Sequence, residues 1–254
     1  MYTKKTYGMG WAKWVQKYYP GNYGAPGVPR LPKRKATPAD IARQNERNRT
    51  RKVQLLIMNN FREGDWHLVL KYKPDARPAD PDEAIKNIRK FLDSMRGAYK
   101  KAGHQFKYIY VTEKGKRGAY HHHLIIQDIA EPDLNTKKMV MKFWPHGNRA
   151  FIPLYEDGEF ENLSAYIVKK ETKEESHGCS YSRRRNLAVP QAEKETIYSR
   201  RWRREPKPEK GWYIVPDSVV NGINPVTGYP YQHYMMVKIP EGSGKTCRKR
   251  FIST

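Results

Sequence analysis

Residues 120–126, Tyr-His-His-His-Leu-Ile-Ile, constrain the fold of this chain more than any other segment. The three residues at the end of this run favour β-strands. Because side chains alternate between the faces of a strand, His121 and His123 should point to one side and His122 to the other. Two imidazoles on one face, two residues apart, are well placed to bind a divalent metal. We expect His122 on the packed face, as a core histidine whose polar atoms have hydrogen-bond partners.

A second strand-like run, Tyr108–Thr112, ends immediately before Glu113. Residues 114–118 are Lys-Gly-Lys-Arg-Gly, which favours a turn, so the two strands should form a β-hairpin. A hairpin can place Glu113 beside the two histidines. Two imidazoles and one carboxylate leave coordination positions open, as a catalytic metal site requires. The alternative is that the histidines only cap or fill a sheet.

The ligand types also bear on the identity of the metal. Mg²⁺ and Mn²⁺ both suit an open site of two imidazoles and one carboxylate, and we expect either one as the cofactor rather than zinc. A structural zinc held by the three histidines is the alternative, but it lacks a convincing fourth ligand because Cys179 has no partner nearby. The only other cysteine is Cys247, so nothing indicates a disulfide scaffold, and a reducing compartment is expected.

The composition indicates a polyanionic partner. The 254 residues include 49 Lys and Arg against 26 Asp and Glu, a net charge of +23, which attracts phosphates over long range. Aromatic residues make up 12% of the chain, and their interleaving with basic residues suits single-stranded nucleic acid. An anionic membrane surface is the alternative, but no apolar run approaches the roughly 20 residues of a membrane span. The N-terminus lacks an apolar signal core, so we expect a cytoplasmic protein without a membrane partner.

Apolar spacing, caps and turn residues predict the secondary structure. Helices are expected at Pro38–Met58, Pro81–Lys101, 133–143 and 160–170, with a hairpin at 107–127 and strands at 66–72, 149–155, 211–215 and 231–239. These elements mix without strict βαβ alternation, so we expect an α+β fold with a central antiparallel sheet and flanking helices. One domain is expected at 37–200, between a basic aromatic arm, 1–36, and a basic extension, 201–254.

The helix predicted over 160–170 carries a second chemical signal. Tyr166 and Lys169 are three residues apart and therefore share one face of the helix, and Lys170 is near that face. A tyrosine hydroxyl can attack a phosphorus atom and form a covalent phosphotyrosine, while an ammonium group stabilises phosphate charge. On its own, Tyr-x-x-Lys usually marks a buried tyrosine beside a solvated lysine. Here it follows the paired histidines by about 40 residues in a very basic chain, which favours the catalytic interpretation.

This order of motifs resembles the HUH endonuclease superfamily, and in particular the rolling-circle replication-associated proteins of bacterial phages, plasmids and integrated elements. The resemblance extends to residues 60–70, to the hairpin at 112–123 and to residues 185–190, and it covers roughly 37–190. It implies a central antiparallel sheet with helices packed on it. One departure is His122, because the family usually has an apolar residue between its two histidines.

The resemblance also implies roles for individual residues. The expected site consists of two histidine ligands, a carboxylate ligand, a nucleophile and a lysine that assists it, namely His121, His123, Glu113, Tyr166 and Lys169. Only one tyrosine is well placed, which implies a single-tyrosine mechanism, with Tyr181 as a weak second candidate. The expected DNA contacts are Lys170, Arg183, Arg184 and Arg185. A further basic run, Arg200–Arg204, either binds phosphates as well or forms an ordinary solvated face.

The activity implied is metal-dependent, site-specific nicking and rejoining of single-stranded DNA, at an origin or its hairpin, to initiate rolling-circle replication. A helicase would be a separate host or element protein, because Gly242–Thr246 is an incomplete phosphate-binding loop and Ile239 stands where that motif needs a glycine. An HUH transposase or a mobilisation relaxase shares the chemistry and stays an alternative. So does a non-catalytic protein that binds single strands or hairpins.

Overall fold

The computed structural model describes residues 1–20, 25–115, 117–131, 135–154, 160–168 and 181–239. The chain divides into two compact units, one of Met1–Gln44 with Pro190–Thr254 and the other of Asn45–Val189. Each unit contains an antiparallel sheet. These sheets and the helices confirm the predicted α+β class. None of the helices in the described ranges has both the length and the apolar character needed to cross a membrane.

The elements are numbered in chain order. The described strands are β1 Tyr2–Gly8, β2 Ala12–Tyr18, β3 Trp66–Lys71, β4 Tyr108–Lys114, β5 Tyr120–Ile126, β6 Arg149–Pro153, β7 Ser182–Arg183, β8 Ala192–Ile197, β9 Trp212–Ile214, β10 Val220–Ile223 and β11 Pro230–Lys238. The described α-helices are α1 Pro38–Asn60, α2 Pro81–Lys101, α3 Thr136–Phe143 and α4 Glu161–Val168. Every helix and strand predicted from the sequence has a counterpart here, whereas β1, β2, β7, β8 and β10 are not predicted.

The sheet of the unit Asn45–Val189 has the strand order β6-β3-β5-β4-β7, and all of its neighbouring strands are antiparallel. One face of this sheet packs against α2 and α3. Alternate positions of the strands supply buried side chains to that core, among them Leu68, Leu70, Tyr110, Leu124 and Ile126. The helices supply Ile88, Phe91, Met95, Val140 and Trp144. The odd-numbered residues of β4 and β5 therefore lie on the other face.

Local sequence explains why α2 begins and ends where it does. The carboxylate of Asp80 accepts a hydrogen bond from the backbone amide of Glu83 at 2.7 Å, and Glu83 accepts one from the amide of Ala79 at 2.7 Å. This reciprocal pair satisfies amides that the first helical turn leaves without partners. Beyond the helix, Gly103 adopts a φ of 77°, which glycine reaches at little cost. The ends of the helix that supports the sheet are thus encoded locally.

His122 lies on the packed face, fully buried, as predicted. Its Nδ1 is 2.8 Å from the hydroxyl of Thr112, and its Nε2 is 2.9 Å from the hydroxyl of Tyr72. Burial lowers the pKa of His122 to about 3, so the imidazole is neutral at physiological pH. The prediction of a core histidine with satisfied polar atoms is confirmed, and the two hydroxyls explain how a polar residue is tolerated there.

The other unit contains the sheet β10-β11-β2-β1-β8, with β9 paired to β11. The N-terminal segment, expected to be an arm without regular structure, contains the hairpin of β1 and β2. Its strands pair with β8 and β11, which lie near the other end of the chain. The bounds of the two compact units therefore differ from the predicted division at residues 36 and 200.

Candidate active site

The hairpin of β4 and β5 sets the geometry of the predicted metal ligands. Glu113 lies directly opposite His121 in the register of the two strands, and His123 follows on the same face. The ligand atoms of Glu113, His121 and His123 all lie within 4.8 Å of one another. The three residues are on the face of the sheet that α2 and α3 do not cover. A turn between two short strands is thus sufficient to assemble a three-ligand cluster.

Glu113 has the character of a metal ligand. It is buried, and its Oε2 lies 3.5 Å from His121 Nε2, while its Oε1 has no hydrogen-bond partner among the described residues. Burial by itself would raise the pKa of Glu113, but hydrogen bonds from His121 and Tyr166 outweigh it and the net pKa is lower than usual. A buried, ionised carboxylate with a free oxygen is costly unless a cation or a donor compensates it. The residues present therefore fit a divalent metal.

His123 is held from its far side by His67, a residue that the sequence patterns do not single out. His67 Nε2 and His123 Nδ1 are 3.1 Å apart, and the two rings stack with centroids 5.4 Å apart. Burial and the neighbouring histidines lower the pKa of His123 to about 4, so its imidazole is neutral. If His123 Nδ1–H donates to His67, the lone pair of His123 is on Nε2, which faces the cluster.

Tyr166 reaches the same cluster from α4. That helix buries Ser164, Ile167 and Val168, whereas Tyr166 is 37% exposed. The hydroxyl of Tyr166 donates to Glu113 Oε2 at 2.7 Å and lies 2.8 Å from His123 Nε2. Burial and the adjacent carboxylate raise the pKa of Tyr166, so the phenol is protonated at physiological pH. The predicted nucleophile thus contacts two of the three predicted ligands while its ring remains accessible.

The other predicted site residues are not part of this cluster. Lys169 and Lys170 lie outside the described residues, as do Cys179 and the Gly242–Thr246 segment. Arg183 is on the edge strand β7 and pairs with Ile109, four residues and roughly 13 Å along β4 from Glu113. Arg183, Arg184 and Arg185 instead line a surface cavity with Tyr108 and Asn186. This basic cavity lies at the edge of the sheet that carries the metal ligands.

The central part of the chain has a family match. Residues 65–175 match a family of replication-associated proteins, described as the ORF2 type. This span contains β3, the β4–β5 hairpin and α4, and hence His67, the three candidate ligands and Tyr166. The match supports a rolling-circle replication-associated protein. No curated protein and no solved structure matches the chain.

Proposed function

We propose that this replication-associated protein is a metal-dependent, single-tyrosine HUH endonuclease that nicks and rejoins single-stranded DNA to initiate rolling-circle replication. The observation that carries the proposal is the position of the Tyr166 hydroxyl, within hydrogen-bond distance of both Glu113 and His123. A nucleophile beside three open-site ligands is the arrangement that phosphoryl transfer to a side chain requires. The match to replication-associated proteins favours replication over transposition or mobilisation.

Glu113, His121 and His123 would hold Mg²⁺ or Mn²⁺. When bound, the ion would polarise the scissile phosphate and offset the negative charge of Glu113. The free oxygen of Glu113 and the neutral imidazole of His123 are the donors that such an ion needs. The two histidines lie two residues apart on one strand, so strand geometry fixes their separation before any metal binds.

Tyr166 would then attack the phosphorus atom of a single-stranded DNA substrate. A bond forms between the tyrosine oxygen and phosphorus as the bond from phosphorus to the 3′ oxygen breaks, and the 3′ oxygen takes up a proton. Because the pKa of Tyr166 is raised, the phenol needs a proton acceptor, and Glu113 Oε2 is in position to accept the proton at 2.7 Å. The 3′ hydroxyl would prime replication, and the reverse reaction would rejoin the ends.

The neighbouring basic residues would position the strand. The cavity lined by Arg183, Arg184 and Arg185 suits phosphates, because guanidinium groups bind them in pairs of hydrogen bonds. Tyr108 in the same cavity offers a ring on which a base can stack. Lys169 and Lys170 directly follow α4 in the sequence and would add positive charge close to the nucleophile. These contacts are expected to fix the register of the strand rather than to perform the chemistry.

The test is the formation of a covalent protein–DNA adduct. Labelled single-stranded oligonucleotides from the DNA flanking the gene are incubated with Mn²⁺ or EDTA and resolved on a denaturing protein gel. We expect an adduct with Mn²⁺ that disappears in EDTA and in Tyr166→Phe, while Tyr181→Phe retains it as the matched control. An adduct that persists in Tyr166→Phe would exclude this nucleophile. Tight binding without any adduct would instead favour the non-catalytic DNA-binding protein.

A further inference from the structure

The sheet of the unit Met1–Gln44 with Pro190–Thr254 has one face whose composition differs from that of the other. In the register of β1, β2, β8 and β11, alternation places one set of side chains on this face. We call it the aromatic face and define it by Lys5, Gln16, Tyr18, Lys194, Tyr231 and His233. The opposite face carries the buried residues Val15, Tyr234 and Met236. The aromatic face is therefore not the one that these core residues occupy.

Aromatic rings form a row on this face. Tyr231 lies directly opposite Tyr18 across β11 and β2, and both residues are half-buried. The ring of Tyr231 stacks in parallel with that of His233, with centroids 6.2 Å apart and an interplanar angle of 5°. Trp14 extends the row beyond His233, with centroids 5.7 Å apart. Rings at this spacing on a sheet form a platform for planar groups.

Gly222 explains the position of the Tyr231 ring. The two residues are cross-strand partners on β10 and β11. A Cβ atom added to Gly222 would lie 2.5 Å from Cζ and from the hydroxyl oxygen of Tyr231. The ring therefore lies over the backbone of the glycine, and only a residue without a side chain leaves space for it.

The charges on this face all have one sign. Lys5 and Lys194 are direct cross-strand partners on β1 and β8, a like-charge arrangement that by itself destabilises a sheet. The carboxylates of β8, Glu193 and Glu195, belong to the alternate positions and lie on the opposite face. Among the described strand residues of the aromatic face there is accordingly no acidic side chain. A phosphate between the two lysines would turn their repulsion into attraction.

We infer that the aromatic face binds single-stranded DNA, with bases stacked on Tyr18 and Tyr231 and phosphates held by Lys5 and Lys194. An unpaired base can lie flat on a ring, whereas a base inside a duplex cannot, so rings on an open sheet favour single strands. This surface shares no residue with the site around Tyr166. It rests on the proposed function only in the choice of DNA over RNA as the polyanion.

Equilibrium binding of the full chain tests the stacking contacts. The Tyr166→Phe variant in EDTA, which forms no adduct, is titrated against fluorescently labelled oligo(dT) and followed by anisotropy. We expect Tyr18→Ala and Tyr231→Ala each to weaken binding by about tenfold, while Tyr18→Phe and Tyr231→Phe stay within about twofold, because stacking needs the ring and not the hydroxyl. Tyr198→Ala is the matched control, since Tyr198 is 90% exposed and lies outside the strands.

The lysines are tested without risk to the core. Lys194→Gln should lower the slope of log K against log salt by about 0.7, the value for one phosphate contact to a single strand. Because this change also removes a like-charge pair, the thermal midpoint should stay the same or rise. Lys207→Gln is the charge-matched control. It lies in the loop before Glu209, which pairs with Lys4 and Lys13 on the opposite face, and it should leave the slope unchanged.

Displacing the Tyr231 ring without replacing it gives an independent test. Gly222→Val places a branched side chain where the ring lies, so it should weaken oligo(dT) binding as strongly as Tyr231→Ala does. Duplex DNA of the same length should bind equally to all these variants.

Three results would overturn the inference. They are unchanged affinity in the folded Tyr18→Ala and Tyr231→Ala variants, an equal loss for duplex DNA, or a loss that sedimentation traces to a change in oligomeric state. The adduct assay is separate, because it depends on Mn²⁺ and Tyr166. Nicking with normal binding in the aromatic variants would refute only the second surface. A loss of binding in those variants without any nicking would refute only the endonuclease.

Discussion

Glu113 is the residue on which the proposed metal site depends most directly, because it is buried and one of its oxygens lacks a partner among the described residues. Saturating Mn²⁺ should stabilise the wild-type protein by about 2.7 kcal/mol at a hundredfold excess over Kd. Glu113→Gln keeps the size and an acceptor for Tyr166 but removes the charge, so most of this stabilisation should be lost. Thermal denaturation with and without Mn²⁺ measures the difference.

The control for this variant is Glu63→Gln, which changes an exposed carboxylate outside the cluster and should respond to Mn²⁺ like the wild type. Equal stabilisation of Glu113→Gln and the wild type would contradict the assignment of the ligand.

His67 belongs to the same scale, but its role depends on a partner that local sequence does not reveal. The pairing of Glu113 with His121 follows from a short hairpin, and its register is therefore predictable from residues 108–126. The contact of His67 with His123 requires β3 to pair with β5, more than 50 residues away. No periodicity within β3 encodes that pairing, so the sequence identifies the strand and misses the residue that supports the ligand.

The geometry predicts that His67 positions His123 for metal binding. His67→Phe keeps a ring beside His123 but removes the nitrogen at 3.1 Å. We expect the affinity for Mn²⁺ to fall by about 10- to 100-fold, as is typical when the partner of a metal-bound histidine is lost. Isothermal titration calorimetry measures it. His67→Gln restores an acceptor and should recover part of the affinity, and a Phe variant with wild-type affinity would refute the role.

At the scale of elements, α2 shows what local sequence determines. The capping pair of Asp80 and Glu83 is encoded within four residues, and the buried positions recur at helical spacing along the rest of α2. The bounds predicted from these signals agree with the observed helix. Because the helix packs on the face of the sheet opposite the metal ligands, its stability should affect the protein without altering the cluster directly.

The cap provides a prediction at this scale. Asp80→Ala removes the acceptor of the 2.7 Å hydrogen bond from the Glu83 amide, and the free energy of unfolding should fall by about 1 kcal/mol. In urea denaturation the midpoint should move while the slope of the transition stays constant. Asp80→Ser supplies another capping oxygen and should retain most of the stability. Equal losses in the Ala and Ser variants would show that the cap is not the cause.

The hairpin of β1 and β2 shows where local sequence is insufficient. In β2 the polar residue Lys17 is buried, and its Nζ donates to Gln232 at 3.0 Å. Polar and aromatic residues therefore occur on both faces, and the alternation that marks a half-buried strand is obscured. The partner strand β11 is more than 200 residues away. A segment whose burial depends on so distant a strand resembles an irregular arm until the pairing is known.

At the scale of the whole molecule, the excess of basic residues raises the question of whether net charge or placed charge drives DNA binding. A net charge of +23 attracts any polyanion and accelerates encounter. The salt dependence of affinity, by contrast, counts the phosphates that are contacted, at about 0.7 each for single strands. The five basic residues proposed to contact phosphates, Lys5, Arg183, Arg184, Arg185 and Lys194, predict a slope of about −3.5 with long oligo(dT).

Two variants with the same change in net charge separate these explanations. Replacing Arg183, Arg184 and Arg185 with Gln removes the basic lining of the cavity at β7, and the slope should become shallower by about 2. Replacing the exposed residues Lys86, Arg89 and Lys90 of α2 with Gln removes equal charge from the helix that covers the opposite face of the sheet. That control should slow association but leave the slope within about 0.5 of the wild type. If both variants changed the slope equally, binding would depend on the overall field, and the cavity would have no special role.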